Sequence, residues 1–124
     1  MKKITIITPT YNRAKTLPKV FESLLKQSFK DFIWIILDDG STDNTTEVVE
    51  NFQLFNPFFE IIYKKDKNRH KFLTVLEGVK MVKTPYFMVV DSDDIYPEDA
   101  LETLISEVEK IENQDNYVAV MGLS

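Results

Sequence analysis

Ile33-Trp34-Ile35-Ile36-Leu37, followed at once by Asp38-Asp39-Gly40-Ser41-Thr42-Asp43, is the stretch that decides the fold. A continuous apolar run puts bulk on both faces of an extended strand. A strand that is dry on both faces belongs to a parallel sheet covered on two sides. The abrupt change to acidic and turn-forming residues marks where that strand leaves the core. The same pattern recurs on either side. Upstream, Ile4-Thr5-Ile6-Ile7-Thr8 is β-branched throughout and reads as a strand stopped by Pro9. Downstream, Phe59 to Tyr63, Tyr86 to Val90 and Tyr117 to Met121 are further short apolar runs.

Helical spacing fills the gaps. Leu17, Val20, Phe21, Leu24 and Leu25 follow i, i+3, i+4, i+7, i+8, with Thr16 and Pro18 placed for a helix start. Asn44-x-x-Glu47 resembles a capping box that opens a helix through Val48, Val49 and Phe52. Phe72 to Val82 forms a helix with Leu73, Leu76, Val79 and Val82 along one side. A last helix starts at Pro97, with Glu98 and Asp99 suited to its dipole and Leu101, Leu104, Ile105, Val108 and Ile111 as its buried stripe. The alternation predicts an α/β fold. It has a mostly parallel sheet of about five strands, helices on both faces and right-handed crossovers.

Composition narrows the function. The chain has 124 residues, enough for one domain with a core, and its net charge of −5 argues against a nucleic-acid partner. There is no cysteine, so disulfides and thiolate metal sites are excluded. No apolar run approaches the roughly 20 residues of a membrane helix, so the expectation is a soluble, cytoplasmic chain, with a peripheral place at the inner membrane face left open. Oligomeric state is also open, because an uncovered sheet edge pairs readily.

In open parallel sheets, ligands bind beyond the carboxyl ends of the strands. The residues there are Pro9-Thr10-Tyr11-Asn12-Arg13, then Asp38 to Asp43, then Arg69-His70-Lys71, then Asp91-Ser92-Asp93-Asp94. The last group carries three carboxylates in four residues, hard oxygen ligands of the kind Mg²⁺ or Mn²⁺ prefers. A solvated turn before a helix is the competing reading of such a pattern; its position after a buried strand favours metal binding. Asp38-Asp39-Gly40-Ser41 is either turn chemistry or a carboxylate that accepts hydrogen bonds from a base or ribose. Tyr11 is either a packing residue or a stacking surface. Arg13 and Lys71 are either surface charges or phosphate contacts. His70, the only histidine, reads as a solvated loop residue. No glycine-rich phosphate loop is present, so a diphosphate would need a cation and basic side chains.

Together these segments resemble glycosyltransferase family 2, of the GT-A (Rossmann-like) fold. The resemblance rests on Ile6 to Arg13, Gln27-Ser28-Phe29, Ile36 to Thr45 and Asp91 to Asp94. It implies that residues 1–124 are the nucleotide-diphosphate-sugar-binding part, with the acceptor-binding half absent. It implies a UDP-sugar donor and an inverting, metal-dependent transfer to an acceptor hydroxyl on a saccharide or lipid-linked acceptor, in polysaccharide or cell-surface glycan synthesis. Pro9, Thr10, Tyr11, Arg13, Asp39, Lys71, Asp91 and Ser92 would then contact the donor. Asp93, Asp91 and Asp94 would serve Mn²⁺ or Mg²⁺. The catalytic base is expected beyond residue 124. The stretch Asn68-Arg69-His70-Lys71 departs from the family's usual Asn-x-Gly-Lys, and Leu76 stands where the family often has Asn. The rival readings are a sugar-phosphate nucleotidyltransferase and a non-catalytic metal-binding α/β module.

Overall fold

The computed structural model describes residues 2–56, 58–67, 71–93, 95–112 and 120–123. Arg69, His70, Asp94 and the start of the last expected strand, Tyr117 to Ala119, lie outside the described residues. The order is β1 (Ile4–Thr10), α1 (Leu17–Leu25), β2 (Phe32–Asp38), α2 (Thr45–Phe55), β3 (Glu60–Lys65), α3 (Lys71–Lys80), β4 (Tyr86–Val90), α4 (Ala100–Glu112) and β5 (Val120–Leu123). The strands form one sheet in the order β3-β2-β1-β4-β5, with every pairing parallel. This is the α/β architecture that the alternating apolar runs predict.

Alternation along β1 and β2 divides the core. Ile4, Ile6, Phe32, Trp34 and Ile36 face α1, α2 and α4, whose Leu17, Val20, Leu24, Val49, Phe52, Leu101 and Ile105 complete one apolar cluster. Phe21 stacks on Phe52 within it, with ring centroids 4.2 Å apart. The buried indole of Trp34 donates to Thr8 Oγ1 at 2.8 Å, which satisfies its one polar atom. Ile7, Ile35 and Leu37 face the other way, toward Val79, Met81 and Val82 at the end of α3 and just past it. Helices therefore cover both faces, three on one and one on the other. The steps from β1 to β2 and from β4 to β5 run in opposite directions across the sheet, yet α1 and α4 share a face. The crossover through α4 thus has the opposite hand to that through α1, against the expectation of a uniform hand. Its entry is tied to the α1 layer by Gln27, whose Oε1 accepts the Leu101 N–H at 3.1 Å.

Several boundaries differ from the sequence reading for local reasons. β1 runs through Pro9 to Thr10. The Asp39 N–H donates to the Thr10 carbonyl, so Thr10 turns its backbone polar groups toward β2 and Pro9 turns toward β4. Pairing with β4 has already ended at Ile7↔Val89, so no ladder bond needs the missing N–H. At the start of α2, Asn44 makes no side-chain cap. Asp43 Oδ1 instead accepts the backbone N–H of Thr45 at 3.1 Å and its hydroxyl at 2.5 Å. These bonds hold the Asp43 carboxyl below its ordinary range, the Thr45 hydroxyl contributing most. α4 begins at Ala100, after a turn in which the Ala100 N–H donates to the Pro97 carbonyl.

The largest difference is the face of α3. Leu73 and Leu76 are 42% and 40% exposed, and the residues that bury are Thr74 and Gly78. A small-residue face lets the helix lie close on the sheet. A Cβ at Gly78 would stand 2.7 Å from Leu37 Cδ1 and 2.8 Å from Ile7 Cγ2, well inside van der Waals contact. Ile7 is β-branched and fully buried, so it yields little. Gly78→Ala should therefore lose stability despite better helix propensity. Overpacking costs about 1–3 kcal/mol against a gain of about 1 kcal/mol. The urea midpoint should fall with the slope unchanged; a midpoint at or above that of the parent would mean that α3 has room to spare.

Candidate functional site

The strand order reverses between β1 and β4, and their carboxyl ends diverge there. A cleft of about 210 Å³ opens at that point, lined by Pro9, Thr10, Tyr11, Arg13, Asp39, Lys71, Thr74, Asp91 and Ser92. The structure thus gathers at one place all eight residues that the sequence marks as donor contacts, from four separate segments. Thr74 is the addition. Its hydroxyl donates to Asp39 Oδ1 at 3.3 Å, bracing that carboxylate from α3. A threonine inside a helix carries no signal of this kind in the sequence; only the close seating at Gly78 delivers it.

Each wall has its own support. Asp38, the last residue of β2, is 1% exposed. Its Oδ1 accepts the Ser41 N–H at 2.7 Å and its Oδ2 accepts the Tyr63 hydroxyl at 2.5 Å. The turn that follows passes through Gly40 at φ 89°, a left-handed conformation that glycine adopts freely. Asp39 is thereby presented at the cleft while Asp38 is spent internally. The turn pattern by itself does not separate two adjacent aspartates in this way; the family resemblance singles out Asp39.

The acidic loop after β4 is stapled to α1 and the residues flanking it. Thr16 Oγ1 donates to the Ser92 carbonyl at 3.1 Å. Ser23 Oγ accepts the Tyr96 N–H at 3.1 Å, and Gln27 Nε2 donates to the Pro97 carbonyl at 2.7 Å. The buried Gln27 thus has a positional role that its place in the sequence pattern does not explain.

Electrostatically the cleft pairs opposite charges. Lys71 Nζ reaches Asp91 Oδ1 at 2.8 Å. The two residues read from the sequence as a phosphate contact and a metal ligand face one another directly. Asp93 is exposed and lies outside the cleft wall, and Asp94 lies outside the described residues. Among the described residues no group of three or more His, Cys, Asp or Glu side chains is gathered to hold a metal ion. Thr10 stands apart: it is 3% exposed, and its Oγ1 is buried without a hydrogen-bond partner. An orphaned hydroxyl in a cleft wall costs free energy unless something in the cleft meets it. Tyr11, at the same rim, is 43% exposed.

The Tyr63 phenol is held neutral well above its ordinary value of 10.0, first by burial and then by its bond to Asp38. The folded chain therefore keeps this proton to higher pH than the unfolded chain. The stability it contributes is complete below about pH 10 and is lost as pH rises further. Tyr63→Phe should cost about 1–3 kcal/mol near pH 8 by leaving the buried Asp38 short of a donor. The gap between the two proteins should then narrow above about pH 10, read from denaturant melts at each pH. A constant gap would show that Tyr63 does not act as a neutral donor.

Comparison with known proteins bears on this geometry. Residues 5–122 match the family model described as glycosyl transferase family 2. The chain is 33% identical over 107 residues to the glycosyltransferase GlyG of Streptococcus pneumoniae, covering 86% of this chain and 35% of that protein. It is 33% identical over 127 residues to the poly(ribitol-phosphate) beta-N-acetylglucosaminyltransferase TarP of Staphylococcus aureus, covering 99% of this chain and 38% of that one. Among solved structures, residues 1–349 of S. aureus TarS in complex with UDP superpose with a TM-score of 0.79 at 26% identity, over 87% of this chain and 32% of that one. The chain thus spans little more than a third of the length of these relatives. Among the described residues no helix is long and apolar enough to cross a membrane.

Proposed function

The chain belongs to glycosyltransferase family 2, and from that premise we propose that it forms the donor-binding part of an enzyme that moves a sugar from UDP to an acceptor hydroxyl in cell-surface glycan synthesis. The observation that carries this reading is the convergence at one cleft of an exposed aromatic residue, a braced carboxylate and a lysine–aspartate pair. Each matches a part of a nucleotide-diphosphate sugar. Tyr11 offers a face for a flat base. Asp39 accepts a hydrogen bond from a base N–H. Lys71 and Arg13 balance diphosphate charge. Two names support the donor and product classes: TarS carries UDP in its complex, and TarP is named for transfer of N-acetylglucosamine to poly(ribitol phosphate).

The donor set suits a hard divalent cation. Asp91, Asp93 and Asp94 supply carboxylate oxygens only, and Mg²⁺ or Mn²⁺ is usually held by one or two carboxylates with substrate phosphates completing the shell. When bound, the cation supplies Lewis-acid stabilisation of the departing diphosphate. Ser92, between Asp91 and Asp93, has its carbonyl held by Thr16, which fixes the backbone that would carry the cation's ligands. The reaction we propose is an inverting displacement whose base and acceptor contacts lie outside residues 1–124.

Calorimetry with UDP and Mn²⁺ tests this. Binding should fall in the range of roughly 1 µM to 1 mM that enzyme substrates occupy, and should weaken when the cation is omitted. Asp39→Ala should weaken it by about 10- to 150-fold, the worth of a charge-assisted hydrogen bond of about 1.5–3 kcal/mol. A folded chain that ignores UDP with or without Mn²⁺ would sink the reading.

A further inference from the structure

Asn12 stands between Tyr11 and Arg13, two walls of the cleft, without lining the cleft itself. It is the one non-glycine residue among those described with a positive φ, 53°. That conformation is costly for most side chains and tolerated by Asn and Asp. It aims both ends of the residue at the neighbouring loop. The Asn12 N–H donates to Ser41 Oγ at 2.8 Å, and Asn12 Oδ1 accepts the N–H groups of Thr42 at 2.7 Å and Asp43 at 3.2 Å. Ser41 in turn is anchored by its own N–H to the buried Asp38.

The result is a continuous hydrogen-bonded tie between the loop bearing Tyr11 and the loop bearing Asp39. Glycine would supply the backbone angle without the acceptor. Most other residues would supply neither. We propose that Asn12 is a positioning residue for nucleotide recognition: it sets Tyr11 and Asp39 in a fixed relation before the ligand arrives. The proposal rests on the nucleotide-binding reading above. The physical gain is preorganisation, since two loops already joined lose less freedom on binding than two independent ones. The tie lies at the rim and outside both apolar clusters, so its effect on recognition should exceed its effect on folding.

Two variants separate the parts. Asn12→Gly keeps the backbone conformation and loses the acceptor; Asn12→Asp keeps both. Below the melting temperature of all three proteins, calorimetry with UDP and Mn²⁺ should show binding weakened about tenfold in Asn12→Gly and restored to within about threefold of the parent in Asn12→Asp. Without nucleotide, hydrogen exchange should show the Thr42 and Asp43 amides losing protection in Asn12→Gly and keeping it in Asn12→Asp. Parent-like UDP binding by Asn12→Gly, or no rescue by Asn12→Asp, overturns the positioning role. If the parent itself does not bind UDP, the nucleotide reading fails separately. The exchange measurement then decides the tie alone: lost protection in Asn12→Gly upholds it, and retained protection overturns it.

Discussion

The constraint on which the rest depends is the complete burial of β1. All seven of its residues are buried, it pairs on both sides, and helices cover both faces. Such a strand has no surface on which to carry chemistry. Its polar consequences can appear only where it ends, and it ends where β2 and β4 lead the chain in opposite directions. The cleft lies at that point because pairing with β4 stops at Ile7 while pairing with β2 continues to Thr10. Pro9 is compatible with this asymmetry. Its missing N–H falls on the unpaired side.

Depth of seating on the second face does the remaining positioning. Gly78 lets α3 approach Ile7 and Leu37, and the first turns of the same helix carry Lys71 and Thr74 into the cleft. A bulkier residue at 78 would lift the helix and move both. Packing and site geometry are therefore coupled through one position with no side chain. The exposed leucines of α3 are the other side of the same arrangement: with Thr74 and Gly78 against the sheet, Leu73 and Leu76 turn outward.

These elements also mark how far the sequence could be read. Runs such as Ile33 to Leu37 announce buried parallel strands because burial on both faces leaves no polar position in the pattern. The cleft residues follow from a topological rule, that chemistry gathers at the carboxyl ends of such strands. Periodicity misled over the first turns of α3, where Leu73 and Leu76 lie on the outer side and Thr74 and Gly78, which hydropathy does not score, are buried, while Val79 and Val82 pack on the sheet as their spacing implies. Asn44-x-x-Glu47 likewise looked like a cap, but Asp43 takes the role, because its carboxylate can reach Thr45 and the Ala14 N–H together. Asp38 and Tyr63 are 25 positions apart, and nothing local pairs them. Contacts of this kind depend on strand register, which a single sequence does not display.

The Lys71–Asp91 pair sets opposite charges against one another across the cleft. Asp91 follows β4 directly and keeps 28% of its side-chain surface; Lys71 faces it from a side chain that is 64% exposed. A pair this open to solvent is worth only about 0–1 kcal/mol, because water screens it and two side chains must be ordered to make it. It is therefore easily exchanged. On the proposed function, a diphosphate presents Lys71 with a denser anion and a divalent ion presents Asp91 with a denser cation. Both exchanges raise local charge density while leaving each group compensated. The arrangement suits a pair whose partners can be exchanged at little cost.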